Sequence, residues 1–281
     1  MYDNFVLNKS PKLVGYVWNV DKPNHVMCII HGVGEYAGRY DRMAKVLNAA
    51  GIAVLSMDLR GHGLSEGRRG DTAPREEIFS DIDLMITEAG RRWPGVPVVL
   101  YGHSMGGNIG LDFRDRGGMN DVPEKYIISA PWIRLVNGPS TKLLPLFHAA
   151  AKVAPMTSMR SGCDEKDLGD LEMVQPYATN PLVHPFITLR TAYDCMSIGD
   201  KIYKGKNETN HRADGKPFLL MHGSADKICD VNGSRTVAKR LKGTENFKFI
   251  EWEGYYHEIH NGGGGHKGDE VIETIRDFIL E

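Results

Sequence analysis

Short apolar segments alternate with longer amphipathic segments along most of this chain, a pattern typical of an α/β fold with a mainly parallel sheet. The apolar segments predict strands at residues 13–20, 25–30, 52–57, 96–101, 125–129, 217–221 and 247–252. The amphipathic segments predict helices at about residues 39–50, 74–93, 108–116, 231–241 and 267–280. Residues 96–101 are apolar throughout, which indicates a strand that helices cover on both faces.

The alternation stops between about residue 131 and residue 214, where the pattern is helical, rich in proline and without a clear strand. The simplest explanation is a doubly wound core interrupted by an inserted helical cap. We therefore expect residues 1–131 and 214–281 to form the two parts of the core, and residues 132–213 to form the cap.

The amino-acid composition indicates a globular protein and gives no sign of nucleic-acid binding. Of the 281 residues, 41% are hydrophobic and 25% are charged. These values are ordinary for a globular protein with a sizeable core, so a disordered or fibrous chain is excluded. Lys and Arg number 34 against 36 Asp and Glu. The resulting net charge of -2 gives no basic excess for binding nucleic acid.

The cysteines and the N-terminus bear on location. The four cysteines lie far apart in the sequence, at Cys28, Cys163, Cys195 and Cys229. No pair has the spacing of metal ligands, so we expect free thiols in a reducing compartment. The N-terminus lacks a secretion signal, and no apolar run is long enough to cross a membrane. A cytoplasmic protein, in part peripheral to a membrane, is the prediction.

The pattern G-x-S-x-G, which is typical of a nucleophile elbow, occurs at residues 102–106 and again at residues 63–67. An elbow needs a strand directly before the serine and a helix directly after it. Ser104 meets both conditions, whereas Ser65 lies several residues beyond its strand and precedes a poor helix start. Ser104 is therefore the predicted nucleophile, and Ser65 is predicted to be a turn residue.

A serine hydroxyl needs a base, and in this architecture the acid and the base follow the serine on loops after later strands. Asp226 is close to the end of one strand, whereas Asp230 is better explained as the N-cap of the next helix. His257 is closer to the end of the last strand than His260. We expect His257 to take the serine proton and return it to the leaving alcohol, while Asp226 orients the imidazole.

The oxyanion hole is predicted from the same arrangement. Its donors would be the backbone N–H of Met105 and an N–H of residues 31–34, with Val33 as the expected donor. The alternative interpretation of residues 31–34 is a plain turn against which His31 packs.

Five motifs occur in the order of a known family, at residues 31–40 (HGVGEYAGRY), 58–65 (DLRGHGLS), 102–107 (GHSMGG), 223–230 (GSADKICD) and 254–260 (GYYHEIH). Together they resemble the monoacylglycerol lipases and lysophospholipases of the α/β-hydrolase fold. The resemblance implies a serine carboxylester hydrolase without metal or organic cofactor. It maps the triad to Ser104, Asp226 and His257, and the oxyanion donors to Val33 and Met105.

The resemblance also implies a substrate site. It maps the residues lining a glycerol-side pocket to Glu35, Arg39 and His260, whose side chains could bond the two free hydroxyls of a monoacylglycerol. The alternative for Glu35 and Arg39 is a salt bridge between a loop and a helix start. Tyr177 belongs to a segment similar to a tyrosine-containing cap segment of the family, in which Asp usually stands where this chain has Asn180.

Two further features have open alternatives. Cys229 falls where the family has a cysteine near the site, and it is equally explained as a small buried hydrophobe. The apolar residues between positions 143 and 155 predict a cap helix with one broad apolar face. That face either touches a membrane or micelle, or it packs on the core and lines an acyl tunnel.

The predicted activity is hydrolysis of a single-chain carboxylic ester, above all a monoacylglycerol, through an acyl intermediate on Ser104. A lysophospholipase and a broad short-chain or aryl carboxylesterase are the enzymatic alternatives. A non-catalytic binding protein of the same fold is a third reading, although no triad member is missing. The expected partner is a small lipid or ester, and the sequence does not indicate an oligomeric state.

Overall fold

The computed structural model describes residues 2–174, 177 and 179–281. Its strands are β1 (Asp3–Lys9), β2 (Lys12–Trp18), β3 (His25–Ile30), β4 (Ile52–Met57), β5 (Val98–His103), β6 (Lys125–Ser129), β7 (Ser158–Arg160), β8 (Phe186–Thr188), β9 (Phe218–Gly223) and β10 (Phe247–Trp252). Its α-helices are α1 (Asp41–Ala49), α2 (Arg75–Arg92), α3 (Met105–Arg116), α4 (Leu144–Val153), α5 (Leu171–Val174), α6 (Leu189–Lys204), α7 (Val231–Leu241) and α8 (Asp269–Leu280).

Eight strands form one sheet in the order β1-β2-β4-β3-β5-β6-β9-β10. From β4 to β10 all neighbours are parallel, whereas β1 and β2 pair antiparallel with each other and β2 pairs antiparallel with β4. The predicted α/β architecture with a mainly parallel sheet is therefore confirmed.

Helices cover both faces of this sheet. Strand β5 alternates between the two layers, with Leu100 in the core under α2, α3, α6 and α7, and Tyr101 in the core under α1 and α8. Because neither face of β5 meets water, its side chains are all apolar at these positions. This arrangement explains the uninterrupted apolar run that predicted the strand.

The structure contains three strands, β1, β7 and β8, that the sequence did not predict. β1 has mostly exposed or half-exposed residues at the edge of the sheet, so its sequence lacks a clear apolar alternation. β7 and β8 form a two-stranded antiparallel sheet inside the segment for which no strand was predicted. Each contains only three residues, which is too short for a period of two to show in the sequence.

In its described residues, the segment between β6 and β9 contributes no strand to the large sheet, and it contacts the loops at the carboxyl end of that sheet. The N–H of His184 donates to the carbonyl of Gly34, 2.9 Å away. The N–H of Glu258 donates to the carbonyl of Leu168 at 2.6 Å. These bonds hold the inserted segment over the loops after β3 and β10. In doubly wound sheets, ligands bind at this carboxyl edge.

Candidate active site

The elbow at Ser104 is a sharp turn between β5 and α3. Ser104 has φ 57° and ψ -118°, a backbone conformation that L-residues rarely adopt, and α3 begins at the next residue. The turn is tight because a Cβ on Gly102 would lie 2.4 Å from the carbonyl oxygen of Gly106, and one on Gly106 would lie 2.1 Å from that of Ile30. Glycine at both positions lets the turn close against β3 and leaves Ser104 at the start of a helix.

Ser104, His257 and Asp226 form a hydrogen-bonded series. His257 Nε2 lies 2.8 Å from Ser104 Oγ, and His257 Nδ1 lies 2.7 Å from Asp226 Oδ2. All three side chains are buried. They reach one another because β5, β9 and β10 are parallel, so the loops that follow them open at the same edge of the sheet. The geometry allows a proton to pass from Ser104 to the imidazole while Asp226 accepts from Nδ1.

The Asp226 carboxylate is held at both oxygens. Oδ1 accepts from the N–H groups of Ile228 and Cys229, at 2.8 and 2.9 Å, and Oδ2 accepts from His257 and from His222. Burial by itself would raise the pKa of Asp226, but the positive charge of His257 and the hydrogen bonds from both histidines outweigh burial and hold the pKa below its usual value. Asp226 is therefore ionised at neutral pH.

His257 shows the opposite balance. Burial lowers its pKa, whereas the charge of Asp226 and the hydrogen bond to that carboxylate raise it, and the net result lies above the ordinary value of 6.5. The charges of Glu258 and Glu35 act in the same direction as that of Asp226. An imidazole in this environment is a stronger base than one in water.

The loop after β3 lies directly against the nucleophile. A Cβ on Gly32 would lie 3.1 Å from Ser104 Cβ. His31 holds the loop, since its Nδ1–H donates to the Gly32 carbonyl at 2.8 Å and its Nε2 accepts from the Leu59 N–H at 2.9 Å. Within the described ranges, the N–H groups of Val33 and Met105 have no acceptor. Both predicted oxyanion donors are therefore free to bind an oxygen of a ligand.

Glu35 and Arg39 are engaged with protein groups. Glu35 accepts from the Gly32 N–H at 2.5 Å and from Arg39 at 2.7 Å, and Arg39 also makes a two-pronged contact with Glu258 at 2.6 and 2.9 Å. Burial raises the pKa of Glu35, whereas for Glu258 the charge of Arg39 outweighs burial and lowers the pKa. Of the two interpretations of Glu35 and Arg39, the salt bridge is present in the structure, and it joins the loops after β3 and β10.

The remaining predicted substrate residues lie around this ion pair. His260 is buried and stacks on the Tyr40 ring, with centroids 5.4 Å apart. Burial lowers the pKa of His260 to about 4, so the ring is neutral. The Arg39 guanidinium lies over the Tyr177 ring, 4.6 Å from its centroid. Tyr177 in turn lines a cavity of about 490 Å³ between residues 160–165 and 183–185 of the inserted segment.

Asn180 stands where the family that the motifs resemble usually has aspartate, and its side-chain NH2 group makes a hydrogen bond as a donor. Its Nδ2 donates to the Tyr36 hydroxyl at 3.0 Å, and its Oδ1 accepts from the Leu182 N–H at 3.0 Å. An aspartate could also make both contacts, but the Tyr36 hydroxyl would then have to donate the first. The exchange therefore reverses the direction of that hydrogen bond and keeps its partners.

Asp230 and Ser65, two other candidates from the sequence, are occupied elsewhere, whereas Cys229 lies at the site, where its N–H donates to Asp226 Oδ1 at 2.9 Å. Asp230 accepts from the Asn232 N–H and is the N-cap of α7, as predicted. The Ser65 hydroxyl donates to the Asp58 carbonyl at 2.7 Å and accepts from the Val14 N–H, so it serves a buried turn. Cys229 is fully buried, and burial raises the pKa of its thiol, which is therefore neutral.

Two buried residues of the site were not predicted, namely His222 and Glu258. His222 lies near the end of β9 and directly precedes the motif at residues 223–230. Glu258 lies inside the motif at residues 254–260, directly after His257. The sequence signal that could have identified His222 is a titratable residue at the end of a strand that was predicted to be buried. Only the side-chain contacts identify their partners.

Comparison with known proteins gives related enzymes. Residues 21–262 match the family Hydrolase_4, described as serine aminopeptidase S33. A monoacylglycerol lipase of Mycolicibacterium smegmatis is 29% identical over 255 residues, covering 89% of this chain and 87% of that protein.

Solved structures agree with the sequence comparison. The crystal structure of Paleococcus ferrophilus monoacylglycerol lipase superposes with a TM-score of 0.82 at 28% identity, covering 95% of this chain and 98% of the other. A soluble variant of Saccharomyces cerevisiae monoglyceride lipase, solved with a substrate analogue, gives 0.81 at 25% identity and covers 99% and 94%.

Proposed function

The chain belongs to the Hydrolase_4 family of serine hydrolases, and from this premise we propose that it hydrolyses monoacylglycerols to fatty acid and glycerol through an acyl intermediate on Ser104. The observation that carries the proposal is the continuous hydrogen-bonded series from Ser104 through His257 to Asp226. The similarity to two monoacylglycerol lipases over nearly the whole chain supports the choice of substrate.

In the proposed mechanism, His257 Nε2 takes the proton of Ser104 as Oγ attacks the ester carbonyl carbon. The N–H groups of Val33 and Met105 bind the oxyanion of the tetrahedral intermediate. When the intermediate collapses, His257 returns the proton to the leaving glycerol oxygen. The same imidazole then activates a water molecule, which releases the fatty acid from Ser104.

We further propose that residues 132–213 act as a cap that binds the acyl chain. Each methylene buried there contributes about 0.8 kcal/mol, so the cap sets a preference among chain lengths. Because Glu35 and Arg39 bond each other, the glycerol hydroxyls would meet a preformed ion pair bordered by Tyr177 and His260. A preformed pair loses no side-chain entropy when the head group binds.

Helix α4 supports a transient contact with a lipid surface. None of its residues is buried, and Leu146 and Val153 are 67% and 87% exposed. Lys142 and Lys152 flank these apolar side chains, as in helices that lie in the plane of a membrane surface. In the part of the chain that the structure describes, no helix is long and apolar enough to cross a membrane. The cytoplasmic location stays a prediction.

A kinetic panel tests the substrate. Purified protein is assayed with monoacylglycerols of several chain lengths, with a triacylglycerol, a lysophospholipid, a short-chain aryl ester and an aminoacyl amide. We expect the highest kcat/KM for a monoacylglycerol. A lead by the lysophospholipid or the aryl ester would replace the proposed substrate, and a lead by the amide would replace the proposed reaction.

Labelling separates a catalyst from a binding protein. A fluorophosphonate reacts only with a serine whose hydroxyl is activated by a base. We expect one label per chain, located at Ser104 by mass spectrometry of the peptides. An unlabelled chain, or a label at Ser65, would contradict the proposed nucleophile.

A further inference from the structure

His222 is a buried histidine that the mechanism above does not use. It lies in β9, one residue before the end of the strand and four residues before Asp226. Its side chain is fully buried, as is that of Ser234 in α7. A titratable ring without any access to water is costly unless its nitrogens are bonded, so the partners of His222 indicate what it does.

Both ring nitrogens of His222 have partners. Nε2 lies 3.1 Å from Asp226 Oδ2 and 3.1 Å from the carbonyl oxygen of Cys229, and Nδ1 lies 2.7 Å from Ser234 Oγ. A carboxylate and a carbonyl only accept, so the proton must be on Nε2. Nδ1 lies at hydrogen-bond distance from the Ser234 hydroxyl, which can either donate or accept. The contacts therefore fix the ring in one orientation, with Nε2–H donating toward Asp226.

Asp226 Oδ2 consequently accepts from two imidazoles, His257 at 2.7 Å and His222 at 3.1 Å. We propose that His222 is a positioning residue, which holds the Asp226 carboxylate in line with His257 and limits its basicity toward that ring. The inference rests on the proposed function, since it assigns His222 a role only if Asp226 and His257 act on Ser104.

The loss of His222 is expected to affect the reaction because Asp226 Oδ2 accepts from both His222 and His257. A hydrogen bond donated to a carboxylate stabilises its ionised form. Without the His222 donor, Asp226 holds the Nδ1 proton of His257 more strongly, and the imidazolium becomes a weaker acid. The pKa of His257 rises, and proton return to the leaving alcohol slows.

Other titratable and charged groups face this pair. Glu251 on β10 is in register with His222 and is bonded to Arg235 of α7. The groups that act electrostatically on Asp226 or are affected by it are His257, His103, Cys163 and Cys229. A substitution at His222 leaves all of these side chains in place. A change in pH dependence therefore reports the lost hydrogen bond.

The test compares His222→Leu with His222→Gln in the full chain, using a soluble aryl ester. Leucine removes the donor, whereas the glutamine amide nitrogen lies close to the position of Nε2 and can still donate to Asp226. For H222L we expect the acidic limb of kcat/KM to move to higher pH by about half a unit. We also expect kcat to fall about tenfold with an unchanged KM. H222Q should restore both quantities toward wild type.

An NMR titration of His257 gives a readout that does not need turnover. The expected result is a higher pKa of His257 in H222L than in wild type and H222Q. If H222L fails to fold, Ser234→Ala takes its place, because it removes the hydroxyl that orients the ring, and we expect a smaller shift in the same direction. The inference would be overturned if the pKa of His257 and the midpoint of the acidic limb of kcat/KM were the same in every variant as in wild type. If the wild type hydrolyses no ester, the proposed function fails instead.

Discussion

At the scale of single residues, one hydrogen bond and an unusual backbone conformation distinguish Ser104 as the proposed nucleophile. The 2.8 Å contact with His257 Nε2 supplies a base, and the positive φ of 57° directs the hydroxyl away from the sheet. Gly102 and Gly106 allow the required close approach. These features separate Ser104 from Ser65, whose hydroxyl is bonded to backbone groups inside a turn.

Replacing Ser104 by alanine removes the nucleophile and little else. We expect kcat to fall by a factor on the order of 10⁴ to 10⁶, because the remaining groups only bind and polarise the ester. The thermal unfolding midpoint should stay close to that of wild type, since the Cβ and the backbone are retained. Turnover within tenfold of wild type would contradict the assignment.

The pH dependence of activity follows from His257. The ring acts as a base only when Nε2 is unprotonated, and its pKa lies above 6.5 because Asp226 stabilises the protonated form against the effect of burial. As the pH drops through this pKa, kcat/KM should fall about tenfold per unit. Rate measurements with a soluble ester should place the acidic midpoint above 6.5. A midpoint below that value would contradict the electrostatic account.

At the scale of elements, a buried ion pair joins two catalytic loops. Arg39, just before α1, bonds Glu35 of the loop after β3 and Glu258 of the loop after β10. One loop carries Val33, the proposed oxyanion donor, and the other carries His257, the proposed base. The distance between the oxyanion site and the base therefore depends on a guanidinium outside the triad.

Replacing Arg39 by methionine would leave two buried carboxylates without their cation. We expect the free energy of unfolding to drop by about 3–5 kcal/mol, as measured by urea denaturation. The triple variant E35Q/R39M/E258Q removes the charges together and should recover part of that loss. If the free energy of unfolding of Arg39→Met lay within 1 kcal/mol of the wild-type value, the ion pair would not contribute the expected stability.

Helix α4 gives a second prediction at this scale. Leu146→Ser combined with Val153→Ser should reduce turnover of an emulsified or vesicle-bound substrate several-fold, because apolar area that enters the interface is lost. Turnover of a soluble ester should not change. Val6→Ser, on the exposed edge strand β1, is the matched control and should alter neither rate. Equal loss on both substrates would assign α4 to packing instead.

At the scale of the whole molecule, the inserted segment and the sheet are bonded to each other around the site. The buried Asp71 carboxylate, in the loop before α2, accepts from the Thr188 hydroxyl at 2.9 Å and from the Arg190 Nε at 3.1 Å. Together with the bonds of His184 and Leu168 described above, this contact attaches residues 132–213 to loops of the sheet.

Asp71→Ala should loosen this attachment. The variant leaves Thr188 and Arg190 without their shared acceptor, so we expect faster proteolytic cleavage between residues 132 and 213 and a several-fold higher KM. Glu88→Ala, which breaks the two ion pairs of Glu88 with Arg91 and Arg92 within α2, is the matched control and should change neither. Equal protease resistance of D71A and wild type would contradict the proposed tether.

The sequence by itself determined the order of the core elements and the positions of Ser104, Asp226 and His257 after β5, β9 and β10. It could do so because the carboxyl ends of parallel strands meet at one edge, so a residue's place in the chain also gives its place in space. The sequence did not predict β7 and β8, because three residues are too few to show a period, or β1, because its residues are largely polar and lie at the sheet edge.

Only the tertiary structure decided which side chains bond one another. The choice for Glu35 and Arg39 between an open pocket and a salt bridge depended on Glu258, which lies 219 residues from Arg39 in the chain. The second donor on Asp226 likewise depended on the ring orientation of His222, which Ser234 of another element holds. Such contacts are set by distances of a fraction of an ångström between side chains, and no periodicity along the chain encodes them.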